Sequence, residues 1–131
     1  MVDLLNGSAL AYIGDAVYEM YVRKHVVNCG ITQPNKLHKA VIKYVEAAGQ
    51  AYIIKKWLET DEVLTPQEIE FYKRGRNHKS NTKAKNASIG DYRQATGFEA
   101  LIGWLHLTQQ TDRERYLIEL AIQTLDERSN P

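Results

Sequence analysis

Ala95-Thr96-Gly97-Phe98-Glu99-Ala100-Leu101-Ile102-Gly103-Trp104 is the most hydrophobic stretch of the chain, and it contains a single carboxylate. With Tyr92 before it and Leu105 after it, its apolar residues recur at helical spacing, which predicts a core helix. Ala9-Leu10-Ala11-Tyr12-Ile13-Gly14-Asp15-Ala16-Val17 has the same character, again with one acid. It belongs to a helix that Ser8 is placed to cap and that ends at residues 28–30, with Leu10, Ile13, Val17 and Met20 as the expected buried face. A carboxylate buried alone is costly, so Asp15 and Glu99 each need a partner or a path to solvent. They stand 84 positions apart (99 minus 15), and two core helices packed side by side can bring them together. Lys or Arg could neutralise such a pair. A hard cation could do so too, since magnesium commonly takes one or two protein carboxylates and completes its shell with waters and substrate phosphate. Glu19, one turn beyond Asp15, could share its face.

The remaining periodicity is also helical. Pro34, at a position where a first-turn proline costs nothing, precedes Leu37, Val41 and Tyr44. Ala48, Ala51, Ile54 and Leu58 continue in a further helix, with Gly49 marking a bend or a close approach. Thr65-Pro66-Gln67-Glu68 has the form of a capping box and predicts a short helix over residues 66–73. Leu117, Leu120, Ala121 and Leu125 form a last amphipathic helix. No segment alternates as a strand, and nothing repeats with a period of 20 to 50 residues. The expectation is one all-α domain over residues 1–131, a size at which a single core suffices.

Charge is balanced overall, with 17 Lys and Arg against 16 Asp and Glu, so affinity for a polyanion must come from a local patch. Such a patch is present. Residues 59–70 carry five acids and no bases, whereas residues 73–90 carry Lys73, Arg74, Arg76, Lys79, Lys83 and Lys85 and no acid. From Gly75 to Gly90 the apolar period vanishes, which predicts a long exposed loop suited to phosphates, with Asn77, Asn81 and Asn86 as further donors. A solvated loop without a ligand is the plainer reading. Aromatic residues are scarce there, which favours backbone contact with a duplex over base stacking on single strands.

Other chemistries have little support. His25, His38, His78 and His106 lack the spacing of a structural zinc site; His78 is placed to touch phosphate, and His106 reads as a core residue. The single Cys29 reads as a small apolar residue at a helix end. With no secretory leader and no apolar run of membrane-spanning length, the expected location is cytoplasmic.

Residues 10–17 resemble the signature helix of ribonuclease III nuclease domains, written LEFLGDAV, and residues 95–103 resemble their second acidic helix, ADxFEALIG. The short chain, the expectation that no double-stranded-RNA-binding domain is present and the basic run at residues 73–80 resemble the stand-alone Mini-ribonuclease III form most closely. The resemblance implies a homodimeric endoribonuclease that uses Mg2+ to hydrolyse double-stranded RNA to 5′ phosphate and 3′ hydroxyl ends, acting on large-subunit (23S) ribosomal RNA precursor. It puts Asp15 on the family's catalytic, metal-binding aspartate, Glu99 on its metal-binding glutamate, and Tyr12 on an aromatic position that packs into the partner subunit. Two acidic positions of the pattern are empty, with Ala11 and Thr96 in their place, which points to one metal ion rather than two. The same two departures support an alternative: a non-catalytic module of this fold that binds structured RNA.

Overall fold

The computed structural model describes residues 1–78 and 88–129. After a 3-10 turn at Val2–Leu4 come six α-helices: α1 Gly7–Asn28, α2 Pro34–Val45, α3 Ala47–Glu59, α4 Pro66–Arg76, α5 Ile89–Leu107 and α6 Thr111–Ser129. The fold is all-α, as its periodicity predicts, with no strand among the described residues.

Helix ends follow local chemistry, with two departures from expectation. Asn6, not Ser8, caps α1; its side chain accepts from the Ala9 amide at 2.8 Å. Helix α4 has the expected capping box, Thr65 and Glu68 each accepting from the other's backbone N–H, but it continues to Arg76. The extra turn has a packing cause. Gly75 lies so close to α5 that a Cβ there would come within 2.5 Å of the Thr96 carbonyl oxygen and 2.6 Å of the Ala100 Cβ. The rest of the expected loop, including Lys79, Asn81, Lys83, Lys85 and Asn86, lies outside the described residues.

Helix α5 is the core element, with Phe98, Ala100, Leu101, Ile102 and Leu105 fully buried. Helices α1, α3 and α4 pack around it, and α6 closes the far side with Leu117, Ile118, Ala121 and Leu125. Helix α1 is rotated from the expected orientation. Its buried stripe is Leu10, Gly14, Tyr18, Val22 and Val26, while Ile13 and Val17 are half-buried and Met20 is exposed. Tyr18 takes the core position because its ring packs edge-on to Phe98, at 5.0 Å between centroids, and its hydroxyl donates to the Tyr44 carbonyl at 3.0 Å. Glu68 is buried at the foot of α4, where Arg113 of α6 meets it through Nε at 2.7 Å and Nη2 at 2.8 Å.

Candidate active site

The site begins with two glycines. A Cβ on Gly14 would lie 1.7 Å from the Glu99 carbonyl oxygen, and one on Gly103 would lie 1.9 Å from the Leu10 carbonyl oxygen. Helices α1 and α5 therefore cross with backbone against backbone, a separation only glycine allows. Asp15 follows the first glycine, and Glu99 supplies the carbonyl facing it. The crossing thus brings together two acids distant in sequence, and their carboxyls hydrogen-bond.

Their environments differ. Asp15 is exposed, whereas Glu99 is partly sunk between helices. Burial, then the charge of Asp15, then the hydrogen bond with Asp15 push the Glu99 carboxyl up to about 9, against an opposing hydrogen bond from Gln50. Gln50, in the first turns of α3, is 1% exposed; its Nε2 donates to the Val45 carbonyl at 3.2 Å and to Glu99 Oε2 at 3.5 Å. The sequence reading missed it. The available signal was a glutamine in register with Ile53, Ile54 and Trp57 on the buried side of α3.

The two unmatched positions provide no ligand. Ala11 is buried, and the Thr96 hydroxyl donates to the Tyr92 carbonyl of its own helix at 2.9 Å. Glu19 pairs with Arg23 at 2.6 Å rather than with the site. Among the described residues no group of three or more His, Cys, Asp or Glu side chains is arranged to hold a metal. Two carboxylates remain, one solvent-facing and one kept protonated by its surroundings. Their hard oxygens suit a divalent cation such as Mg2+, which would displace the proton that now lies on Glu99.

The basic end of α4 crosses α5 at Thr96 and Gly97, about one turn from Glu99. Its residues divide by environment. Lys73 and Asn77 are exposed; Arg76 lies over the Tyr72 ring at 5.4 Å and donates to Asn77 Oδ1 at 3.1 Å. Arg74 instead donates to the Asp3 carbonyl and covers Phe71 at 4.4 Å, tying α4 to the amino-terminal turn. Tyr12, 81% exposed, borders a cavity of about 670 Å³ lined also by Leu5, Ile13, His78 and Leu107. Two other expectations need revision. His106 is half-exposed and pairs with buried Glu114 at 2.8 Å, and Cys29 is exposed at the end of α1.

Two apposed carboxylates at a glycine-lined helix crossing, with a basic helix end beside them, describe a nuclease domain of the ribonuclease III class. The profile of the Ribonuclease III domain family matches residues 8–110. The Mini-ribonuclease 3 of Streptococcus pneumoniae is 52% identical over 125 residues, covering 95% of this chain and 97% of that protein. The Mini-ribonuclease 3 of Enterococcus faecalis is 52% identical over 123 residues, covering 94% and 92%. A crystal structure of a Fusobacterium nucleatum protein is similar at a TM-score of 0.79 and 29% identity, covering 92% of this chain and 93% of that one. The chain belongs to the Mini-ribonuclease III family and is an endoribonuclease.

Proposed function

We propose that the protein cleaves double-stranded RNA with Mg2+ held by Asp15 and Glu99, and that its substrate is large-subunit ribosomal RNA precursor in the cytoplasm. The observation that carries this reading is the apposition of the two acids at the α1–α5 crossing. When bound, the ion supplies positive charge for a phosphodiester and eases loss of a proton from the attacking water, leaving a 5′ phosphate. Asp15 faces solvent, where substrate arrives, and Glu99 anchors the pair within the fold. Lys73, Arg76 and Asn77 at the end of α4 meet backbone phosphates, as do Lys79, Lys83 and Lys85 beyond the described part of that segment. Arg74 supports them by fixing α4 to the amino-terminal turn.

One site cuts one strand, so cutting both strands in one encounter takes two chains related by a twofold axis. Exposed Tyr12 and Met20, with half-buried Ile13 and Val17 between them, form an apolar strip on α1 that a second copy would cover, and the cavity beside Tyr12 offers a socket for the partner's ring. The substrate assignment rests on the family resemblance. Incubation with labelled RNA duplex, single-stranded RNA and DNA duplex tests the reading: the RNA duplex alone should be cut, and only with Mg2+. Equal cutting of single strands, or undiminished cutting in a chelator, would contradict it.

A further inference from the structure

We propose that Gln50 is a positioning residue for Glu99, holding that carboxylate in the orientation in which it binds the cation. The inference rests on the reading of Asp15 and Glu99 as metal ligands and adds a residue from a third helix to the site.

Burying the Gln50 amide is costly. Gln50 is in the first turns of α3 with only 1% of its surface exposed, beside Ala51, Ile53 and Ile54, where an aliphatic side chain would pack without desolvating an amide. Part of the compensation is structural. Val45 is the last residue of α2, so its carbonyl lacks a partner within that helix, and Gln50 Nε2 supplies one at 3.2 Å. That bond also orients the amide. A carbonyl can only accept, so the NH2 end of the amide and not its oxygen must face Val45, and the second hydrogen of the same nitrogen is left for Glu99 Oε2 at 3.5 Å.

The anchor behind Gln50 is rigid. The chain turns between α2 and α3 at Glu46, whose extended backbone (φ −67°, ψ 153°) ends one helix and begins the next. Tyr18 of α1 donates to Tyr44 on one side of this corner, and Gln50 donates to Val45 on the other. A Cβ on Gly49 would lie 2.5 Å from the Lys43 carbonyl oxygen, so the corner is packed tightly from within as well. A donor fixed to that corner holds Glu99 Oε2 toward α3 and leaves Oε1 for the cation. Partners of this kind orient a ligand and raise its affinity for metal.

The test is Mn2+ binding to the full chain, followed by electron paramagnetic resonance of the free ion, with Gln50→Met and Gln50→Asn. Methionine keeps the length and volume but has no donor. Asparagine keeps the amide but is one methylene too short to reach Val45 and Glu99 together. Both variants should bind Mn2+ more weakly, the methionine variant by about tenfold or more. Its cleavage rate at limiting Mg2+ should fall and then recover as Mg2+ is raised, with KM for duplex RNA unchanged. A purely structural role would lower the melting temperature and leave metal affinity alone. Wild-type Mn2+ affinity in either folded variant overturns the proposal, and if the methionine variant does not fold, the asparagine variant decides. Asp15→Asn run alongside separates the two levels: wild-type Mn2+ affinity there would sink the metal-site reading itself.

Discussion

A carboxyl raised to about 9 inside a fold keeps its proton at neutral pH unless a cation displaces it. Glu99 has an ordinary value of 4.5, raised to about 9 by burial and by Asp15. A carboxyl raised in the folded state contributes stability that is complete below its unfolded value and is lost as pH rises through the folded one. Metal-free protein should therefore lose stability steadily between about pH 4.5 and 9, and Glu99→Gln should flatten that slope; calorimetry in chelator across this range is the check. The same proton competes with metal, so apparent Mg2+ affinity should rise with pH over the same window. Asp15 and Glu99 were legible in the sequence because each interrupts an otherwise apolar helix. Gln50 was not, because an uncharged side chain on a third helix creates no comparable conflict, and only its burial shows that it needs partners.

Helices meet here through glycine, and the α1–α5 crossing depends on it most. Gly14→Ala would place a methyl 1.7 Å from the Glu99 carbonyl oxygen, so the helices must part. Overpacking of this kind typically costs about 1 to 3 kcal/mol. Activity should fall further than stability alone requires, because Asp15 and Glu99 separate as well; urea unfolding beside cleavage rates measures both. The α4–α6 contact depends on charge. Burial pushes the Glu68 carboxyl up, but hydrogen bonds from Arg113 and the Thr65 backbone, with the guanidinium charge, hold it below the usual carboxylate range. Arg113→Met leaves that carboxylate without its partner and should cost about 3 kcal/mol, near the lower end for a broken buried pair because Arg113 is partly exposed. The stability this pair supplies should be present above the ordinary carboxylate range and lost as pH falls through the lowered value, so the variant's deficit should shrink in acid. Helix existence and type were legible from apolar spacing, and the Thr65 cap from its motif. The rotation of α1 and the last turn of α4 were not, because each is decided by a contact made only after folding, Tyr18 on Phe98 and Gly75 on Thr96.

For the whole molecule, two surfaces carry the account: the apolar strip of α1 and the basic end of α4. Tyr12→Asp should weaken self-association without unfolding the chain, since the ring is 81% exposed, and sedimentation velocity over a dilution series reads it out. Replacing Lys73 and Arg76 with alanine should lower duplex affinity and reduce the salt slope by up to about 1.4 to 1.8 units, at roughly 0.7 to 0.9 per phosphate. Arg74→Ala should mainly lower stability, because its guanidinium is engaged with Asp3 and Phe71. Charge segregation along the chain made the basic surface legible, but this division of labour among its arginines appears only in the fold. The most direct test of the central claim is single-turnover cleavage of an RNA duplex in saturating Mg2+ by wild-type protein, Asp15→Asn and Glu99→Gln, each confirmed folded by circular dichroism. The two-carboxylate site predicts that both variants bind the duplex and cut it at least about a hundredfold more slowly, a loss of some 2.7 kcal/mol in transition-state stabilisation; a folded variant of either kind cutting at the wild-type rate would contradict it.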